Sequence, residues 1–153
     1  MLKGKCGCGA VTYRLKEAPM YVHCCHCTDC QKQTGTAFAL NGIIETENVE
    51  CDGPTREEQL ETASGKGQII TRCTKCGVAV FSNYLAREGK LRHIRIGTLE
   101  EPGRCPPDIH IFTSSKMPWV NLSSDVPVYE EYYNISEIWP QPARDRWRAV
   151  FGT

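Results

Sequence analysis

The 153-residue chain has no long apolar run, and nothing in it approaches the ~20 consecutive apolar residues that span a bilayer. Its first residues, Met1-Leu2-Lys3-Gly4-Lys5-Cys6, lack the apolar stretch of an export signal. Charge of either sign is not in surplus, since 18 Lys and Arg balance 18 Asp and Glu. The basic residues are scattered, so no electrostatic footprint for nucleic acid is present. There is no internal repeat and no low-complexity segment. The expectation is a cytoplasmic protein with neither a membrane nor a nucleic-acid partner. The length suits a single domain spanning 1–153, with a C-terminal tail from about residue 129. A domain of that size buries roughly 70% of its unfolded surface and does not need disulfides to fold.

What the chain has is cysteine: ten of them. In a reducing compartment, closely spaced cysteines are better read as metal ligands than as disulfides. Seven fall into three groups, Cys6-x-Cys8, Cys25-x-Cys27-x-x-Cys30 and Cys73-x-x-Cys76. Thiolate is a soft ligand suited to zinc, and four thiolates complete the tetrahedron of a structural site. Cys6, Cys8, Cys73 and Cys76 make such a set, with glycines beside each pair that let the backbone curl around one ion. That metal would tie the first strand to a hairpin in mid-chain. Three thiolates leave one coordination position open, which marks a catalytic zinc. Loading two zinc ions onto seven thiolates makes the neutral chain mildly acidic.

The central group has two registers, because Cys24-x-x-Cys27 is also a Cys-x-x-Cys pair. In an extended segment Cys25 and Cys27 share a face while Cys24 points the other way, which favours Cys25, Cys27 and Cys30. A fourth ligand from Cys24, Cys51, Cys105 or a histidine would close the site and make it structural. Cys51 and Cys105 read as small buried hydrophobes. His26 faces away from the metal if the segment is extended, in a hydrogen-bonding role behind the ligands. His110 reads as a satisfied core histidine or, functionally, as a site wall. Asp29 is placed to cap a turn.

Short extended segments dominate the rest. Ala10–Leu15, Met20–Cys24, Thr36–Leu40, Ile43-Ile44, Val49–Cys51, Gln68–Cys73, Val78–Ser82, Leu91–Gly97 and Asp108–Phe112 read as strands. Gln31–Gly35 reads as a helical turn stopped by Gly35, and Arg144–Phe151 as a short helix. The polar stretch from Arg56 to Gly67 fits a helix, an exposed strand or a loop. The fold class is mainly β.

Four motifs together resemble a known family. They are Gly4-Lys5-Cys6-Gly7-Cys8-Gly9-Ala10-Val11-Thr12-Tyr13; Cys25-His26-Cys27-Thr28-Asp29-Cys30 with Gly35; Arg72-Cys73-Thr74-Lys75-Cys76-Gly77; and His110-Ile111-Phe112 with Ser115-Lys116-Met117-Pro118-Trp119. In order and spacing they are similar to the glutathione-dependent formaldehyde-activating enzymes, also called S-(hydroxymethyl)glutathione synthases, grouped with centromere protein V. The resemblance runs from about Gly4 to Pro127. It implies an Mss4-like fold of several small antiparallel sheets organised around zinc. It also implies a structural zinc on Cys6, Cys8, Cys73 and Cys76 and a catalytic zinc on Cys25, Cys27 and Cys30. The implied activity is that of a carbon–sulfur lyase acting on the adduct of glutathione and formaldehyde. Cys24 is not part of the family's motif.

Two functions follow as expectations. In the first, an open zinc activates a small-molecule thiol such as glutathione toward an aldehyde, with Lys32, Arg72, Arg95 or Lys116 as candidate anchors for its carboxylates. In the second, a fourth protein ligand closes the site, and an exposed apolar surface involving Trp119, Trp139 or Trp147 binds a partner.

Overall fold

A computed structural model describes residues 1–152. In chain order the strands are β1 (Leu2–Lys5), β2 (Thr12–Leu15), β3 (Tyr21–Cys25), β4 (Ala39–Glu45), β5 (Val49–Asp52), β6 (Thr55–Leu60), β7 (Gln68–Cys73), β8 (Ala79–Tyr84), β9 (Leu91–Arg95) and β10 (Ile109–Ile111). The helices are α1 (Thr28–Thr34), α2 (Ile135–Ile138) and α3 (Gln141–Phe151), joined by several single 3-10 turns. The protein is mostly β, as its strand-like periodicity implies. No helix of the described residues is long and apolar enough to cross a membrane. The chain clusters into two compact units, one from Met1–Pro19 and Gly42–Cys105, the other from Met20–Asn41 and the segment from Pro106 onward.

The first unit holds two antiparallel arrangements. β1, β2 and β5 form a three-stranded sheet with Leu2 opposite Leu15 and Tyr13 opposite Cys51. Side chains along β1 and β2 alternate between buried and exposed, as a one-faced sheet requires. β6 to β9 form an antiparallel meander, with a bulge at Thr71/Arg72 just before the β7–β8 tip. β6 lies in the polar stretch that the sequence leaves open. It is an exposed outer strand, and its Glu58 pairs with Arg72 of β7 at 2.9 Å. Val11, Leu15, Ile44, Ile70, Val80, Ile94 and Ile96 are fully buried here. Each such side chain contributes about 1.5–3 kcal/mol.

Of the expected strand Thr36–Leu40 only Ala39 and Leu40 are strand; Thr36–Phe38 follow α1 as a bend, and β4 runs from Ala39 through Gly42 to take in the expected Ile43-Ile44. A Cβ at Gly42 would come within 2.8 Å of Ile96 and 2.9 Å of Pro19. The glycine therefore serves close packing and not a turn.

In the second unit β3 and β10 pair in parallel, with His110 opposite Cys24 and Ile111 opposite Cys25. Every side chain of β3 is buried. The aromatic tail is its cover: Trp139 stacks on Tyr21 with centroids 5.1 Å apart, and the Tyr133 hydroxyl lies 2.6 Å from His23 Nε2. α3 begins earlier than the sequence suggests, at Gln141 with Pro142 in its first turn. Gly152 caps it in a left-handed conformation at φ 71°.

Candidate metal centre

The first cysteine set is built from two tight turns in the first unit. Cys6 N–H donates to the Val11 carbonyl and Gly9 N–H to the Cys6 carbonyl. Cys73 N–H likewise donates to Val78 and Gly77 N–H to Cys73. Gly9 and Gly77 take φ of 76° and 74°, a conformation that costs glycine little. The turns bring together the sulfurs of Cys6, Cys8, Cys73 and Cys76, all within 4.8 Å of one another. Cys6 and Cys8 Sγ lie 3.6 Å apart, and Cys8 and Cys73 Sγ 3.8 Å. Thiolates at about 2.3 Å around a tetrahedral zinc sit about 3.8 Å apart, so the spacing and the all-sulfur chemistry fit that ion.

Backbone N–H groups of Val11 and Lys75 point at Cys6 and Cys73 Sγ, at 3.2 and 3.4 Å. Burial pushes the Cys6 thiol up, but the Val11 N–H and the sulfurs of Cys73, Cys8 and Cys76 outweigh it and bring it to about 6. The Ala10 N–H favours the Cys8 thiolate, yet crowding by Cys6, burial and the other two sulfurs lift it to about 11. Negative charge on one sulfur thus raises the cost of charge on the next, which a dication at the centre removes.

The second set lies where β3 ends and α1 begins. Cys27 is the N-cap of α1, and its Sγ accepts the Cys30 N–H at 3.4 Å. The helix therefore starts three residues before the expected Gln31, because the cysteine itself supplies the cap. Gly35 ends it at φ 69°, with its N–H on the Gln31 carbonyl. Cys25, Cys27 and Cys30 Sγ lie within 4.8 Å of one another, and no other histidine, cysteine or carboxylate of the described residues joins that group. Cys25 and Cys30 are buried and Cys27 half-buried, so the cluster is reached from the Cys27 side. The sulfurs of Cys25 and Cys30 hold the Cys27 thiol down to about 2, while Cys27 and Cys30 push Cys25 far above the thiol range.

A model of the glutathione-dependent formaldehyde-activating enzyme family matches residues 1–115. The chain belongs to that family. An Aspergillus terreus relative with the provisional name glutathione-dependent formaldehyde-activating enzyme is 33% identical over 79 residues, 50% of this chain and 40% of its own length. A Halomonas elongata relative with the same provisional name is 29% identical over 133 residues, 81% of this chain and 82% of its own. A crystal structure of a Rhodobacter sphaeroides protein aligns with a TM-score of 0.50 at 15% identity, covering 82% of this chain and 98% of that one. That likeness shows the fold alone.

Other expectations meet mixed outcomes in this member of the formaldehyde-activating family. Cys51 is exposed and Cys105 buried, and neither belongs to a donor group. The reading of Cys51 as a buried hydrophobe is therefore corrected: it sits on β5, whose side chains beyond Val49 are exposed. Of the candidate anchors, Arg72 is engaged by Glu58 and the Gly77 carbonyl. Lys116 Nζ donates to the Met117 and Val120 carbonyls. Arg95 is buried at 8% exposure. Lys32 is exposed and lines an open cleft of about 540 Å³ with Gln31, Met117 and Trp119.

The sequence reading did not join Cys24, His26 and His110, whose donor atoms converge in a third cluster. The signal was there in the spacing, since extended backbone continued from β3 puts Cys24 and His26 on one face, but the partner on β10 is a long-range contact. Burial pushes the Cys24 thiol up to about 12. Burial, with the positive potential of His110 and Lys116, brings His26 down to about 4.

Proposed function

We propose that the chain is a zinc-dependent carbon–sulfur lyase acting on the adduct of glutathione and formaldehyde. Cys25, Cys27 and Cys30 would hold the working zinc, and Cys6, Cys8, Cys73 and Cys76 a structural one. The observation that carries this reading is the three-sulfur cluster with no fourth donor among the described residues. A zinc ion bound there supplies an open position at which a thiol is favoured as its thiolate. The protein's own groups build the surroundings. Gln31 Nε2 donates to the carbonyls of His26 and Ser115 at 2.8 and 2.9 Å, tying α1 to the segment after β10. The Ser115 hydroxyl donates to the same His26 carbonyl at 3.0 Å. The backbone between Cys25 and Cys27 is thus fixed before substrate arrives, which limits the cost of ordering it. The cleft beside α1 has room for the body of a tripeptide thiol, with exposed Lys32 available to its carboxylates.

The chemistry is a reversible addition. The thiolate sulfur forms a bond to the aldehyde carbon, the carbonyl π-bond breaks, and the oxygen takes a proton from solvent. The reverse sequence releases thiol and aldehyde.

The test is exchange of the hydroxymethyl group between labelled and unlabelled glutathione by zinc-loaded protein. A rate above the protein-free control that disappears with the second zinc is expected. A rate equal to the control would remove this substrate from consideration.

A further inference from the structure

The last two residues of strand β3, Cys24 and Cys25, belong to two different groups of donors. Cys25 joins Cys27 and Cys30, while Cys24 joins His26 and His110. We propose that Cys24, His26 and His110 form a further metal site, built for a soft monovalent cation, Cu(I), held by one thiolate and two neutral imidazoles. The inference is independent of the lyase reading, since none of the three is a ligand there.

The geometry is set by backbone. Cys24 and His110 are Cα partners in the parallel β3–β10 register. His110 is pinned from its other side, its N–H on the Pro127 carbonyl and its own carbonyl accepting from Tyr129 N–H, both at 2.9 Å. His26 N–H donates to the Ile111 carbonyl at 3.0 Å. From these anchors, Cys24 Sγ lies 3.5 Å from His26 Nε2, and that nitrogen lies 3.0 Å from His110 Nδ1. A metal at about 2.0 Å from nitrogen and about 2.3 Å from sulfur spaces its donors about 3.3–3.8 Å apart. The first distance is already in that range. The second is a few tenths of an ångström short, so the ion replaces the hydrogen bond between the two rings with little ring movement.

Charge selects the ion. Cys24, His26 and His110 are 3%, 0% and 8% exposed, and no carboxylate of the described residues is in the group. Phe38 closes one side, its ring centroid 5.5 Å from that of His26. Binding releases the Cys24 thiol proton to solvent, so Cu(I) leaves a neutral centre. A dication leaves one positive charge buried, which is strongly unfavourable. Lys116 already adds positive charge near His26. Thiolate and imidazole both suit copper, and a two-histidine, one-cysteine set is a known copper donor combination.

The test starts from full-length protein loaded with zinc and kept anaerobic. Cu(I) is delivered as its complex with a colorimetric Cu(I) chelator, and bound copper and zinc are counted after desalting. The expected result is one copper per chain with the zinc content unchanged. X-ray absorption at the copper edge should show one sulfur and two nitrogen neighbours. Cys24→Ala and His110→Gln should each lose that copper while keeping the zinc of the parent protein. The absorption spectrum of the wild type decides the matter even if a variant folds poorly. Copper gained only as zinc leaves, copper surrounded by sulfur alone, equal copper in Cys24→Ala, or no copper in the wild type would each overturn the assignment.

Discussion

Cys27 caps the helix that carries Cys30, with the Cys30 N–H donating to its sulfur at 3.4 Å. One side chain thus starts α1 and contributes to the three-sulfur cluster, and substitution can separate the two roles. Serine is among the preferred N-caps, whereas alanine at such a position costs about 1 kcal/mol. Cys27→Ser is therefore expected to stay folded within about 1 kcal/mol of wild type and to keep the metal of the four-cysteine set. It should lose the second zinc and the hydroxymethyl exchange. Cys27→Ala should lose the same metal and show the added capping cost in urea titrations. Wild-type exchange rates in Cys27→Ser, above the protein-free control, would refute the proposed site.

Cys8 tests the structural zinc more sharply than Cys73 does. Cys73 is fully buried, so its loss is destabilising whatever it binds. Cys8 is exposed, and an exposed side chain without a special role is worth within about 0.5 kcal/mol. If Cys8 holds a zinc that joins the Cys6–Val11 turn to the β7–β8 tip, Cys8→Ser should lower the melting temperature far more than a surface substitution does and release one metal equivalent. Thermal melts of Cys8→Ser beside Lys75→Ala, a neighbouring surface control, give the comparison. Equal melting temperatures in the two variants would remove the metal from that place.

What the sequence disclosed, and what it did not, follows from the range of each interaction. The cysteine groups were legible because their members are close in sequence and flanked by glycines, and spacing of two or three residues is itself geometry. The alternation that set Cys25 and Cys27 apart from Cys24 agrees with the sulfurs found in the two clusters of β3. The start of α1 was missed because cysteine is not an expected N-cap. β6 was left open because its stability comes from pairing with β7 and from Glu58 meeting Arg72, neither visible locally. The tail was opaque for the same reason: Tyr133 and Trp139 acquire meaning only against Tyr21 and His23, more than a hundred residues earlier. The fold class needed only the density of short strands.

His93, on β9, gives the first unit a pH dependence that does not involve either cysteine set. Burial, aided by Arg95, brings its pKa from 6.5 down to about 4, against a smaller opposing effect of its backbone hydrogen bond with Ser82. Between those two values the unfolded chain binds a proton that the folded chain refuses. Stability from this residue is therefore complete above pH 6.5 and is lost as pH falls toward 4, by about 2–3 kcal/mol in all. Urea midpoints measured from pH 8 to 4 should fall more steeply for wild type than for His93→Gln. Parallel curves would show that His93 carries none of the dependence.

Lys32 and Trp119 line the same open cleft beside α1, one exposed cation and one aromatic at 70% exposure. If the cleft receives the body of the thiol substrate, Lys32 acts on its carboxylates and Trp119 on its apolar surface. An ion pair at so exposed a lysine is worth about 0.2–1 kcal/mol, which corresponds to a change of up to about five-fold in binding. Lys32→Ala is therefore expected to raise the KM for glutathione within that range and to leave kcat unchanged, because the ammonium does not touch the reacting sulfur. The same variant should treat a glutathione ester with neutral carboxyl groups as wild type does. Raising the ionic strength should reduce the difference between wild type and variant toward zero. Glutathione should also change the fluorescence of wild type but much less that of Trp119→Phe, since neither buried Trp139 nor Trp147, which packs against Trp139 and Phe151, lines the cleft. A loss in Lys32→Ala that is equal for glutathione and its ester would show that the side chain supports the helix and does not recognise charge. An unchanged KM for glutathione would place the carboxylates elsewhere.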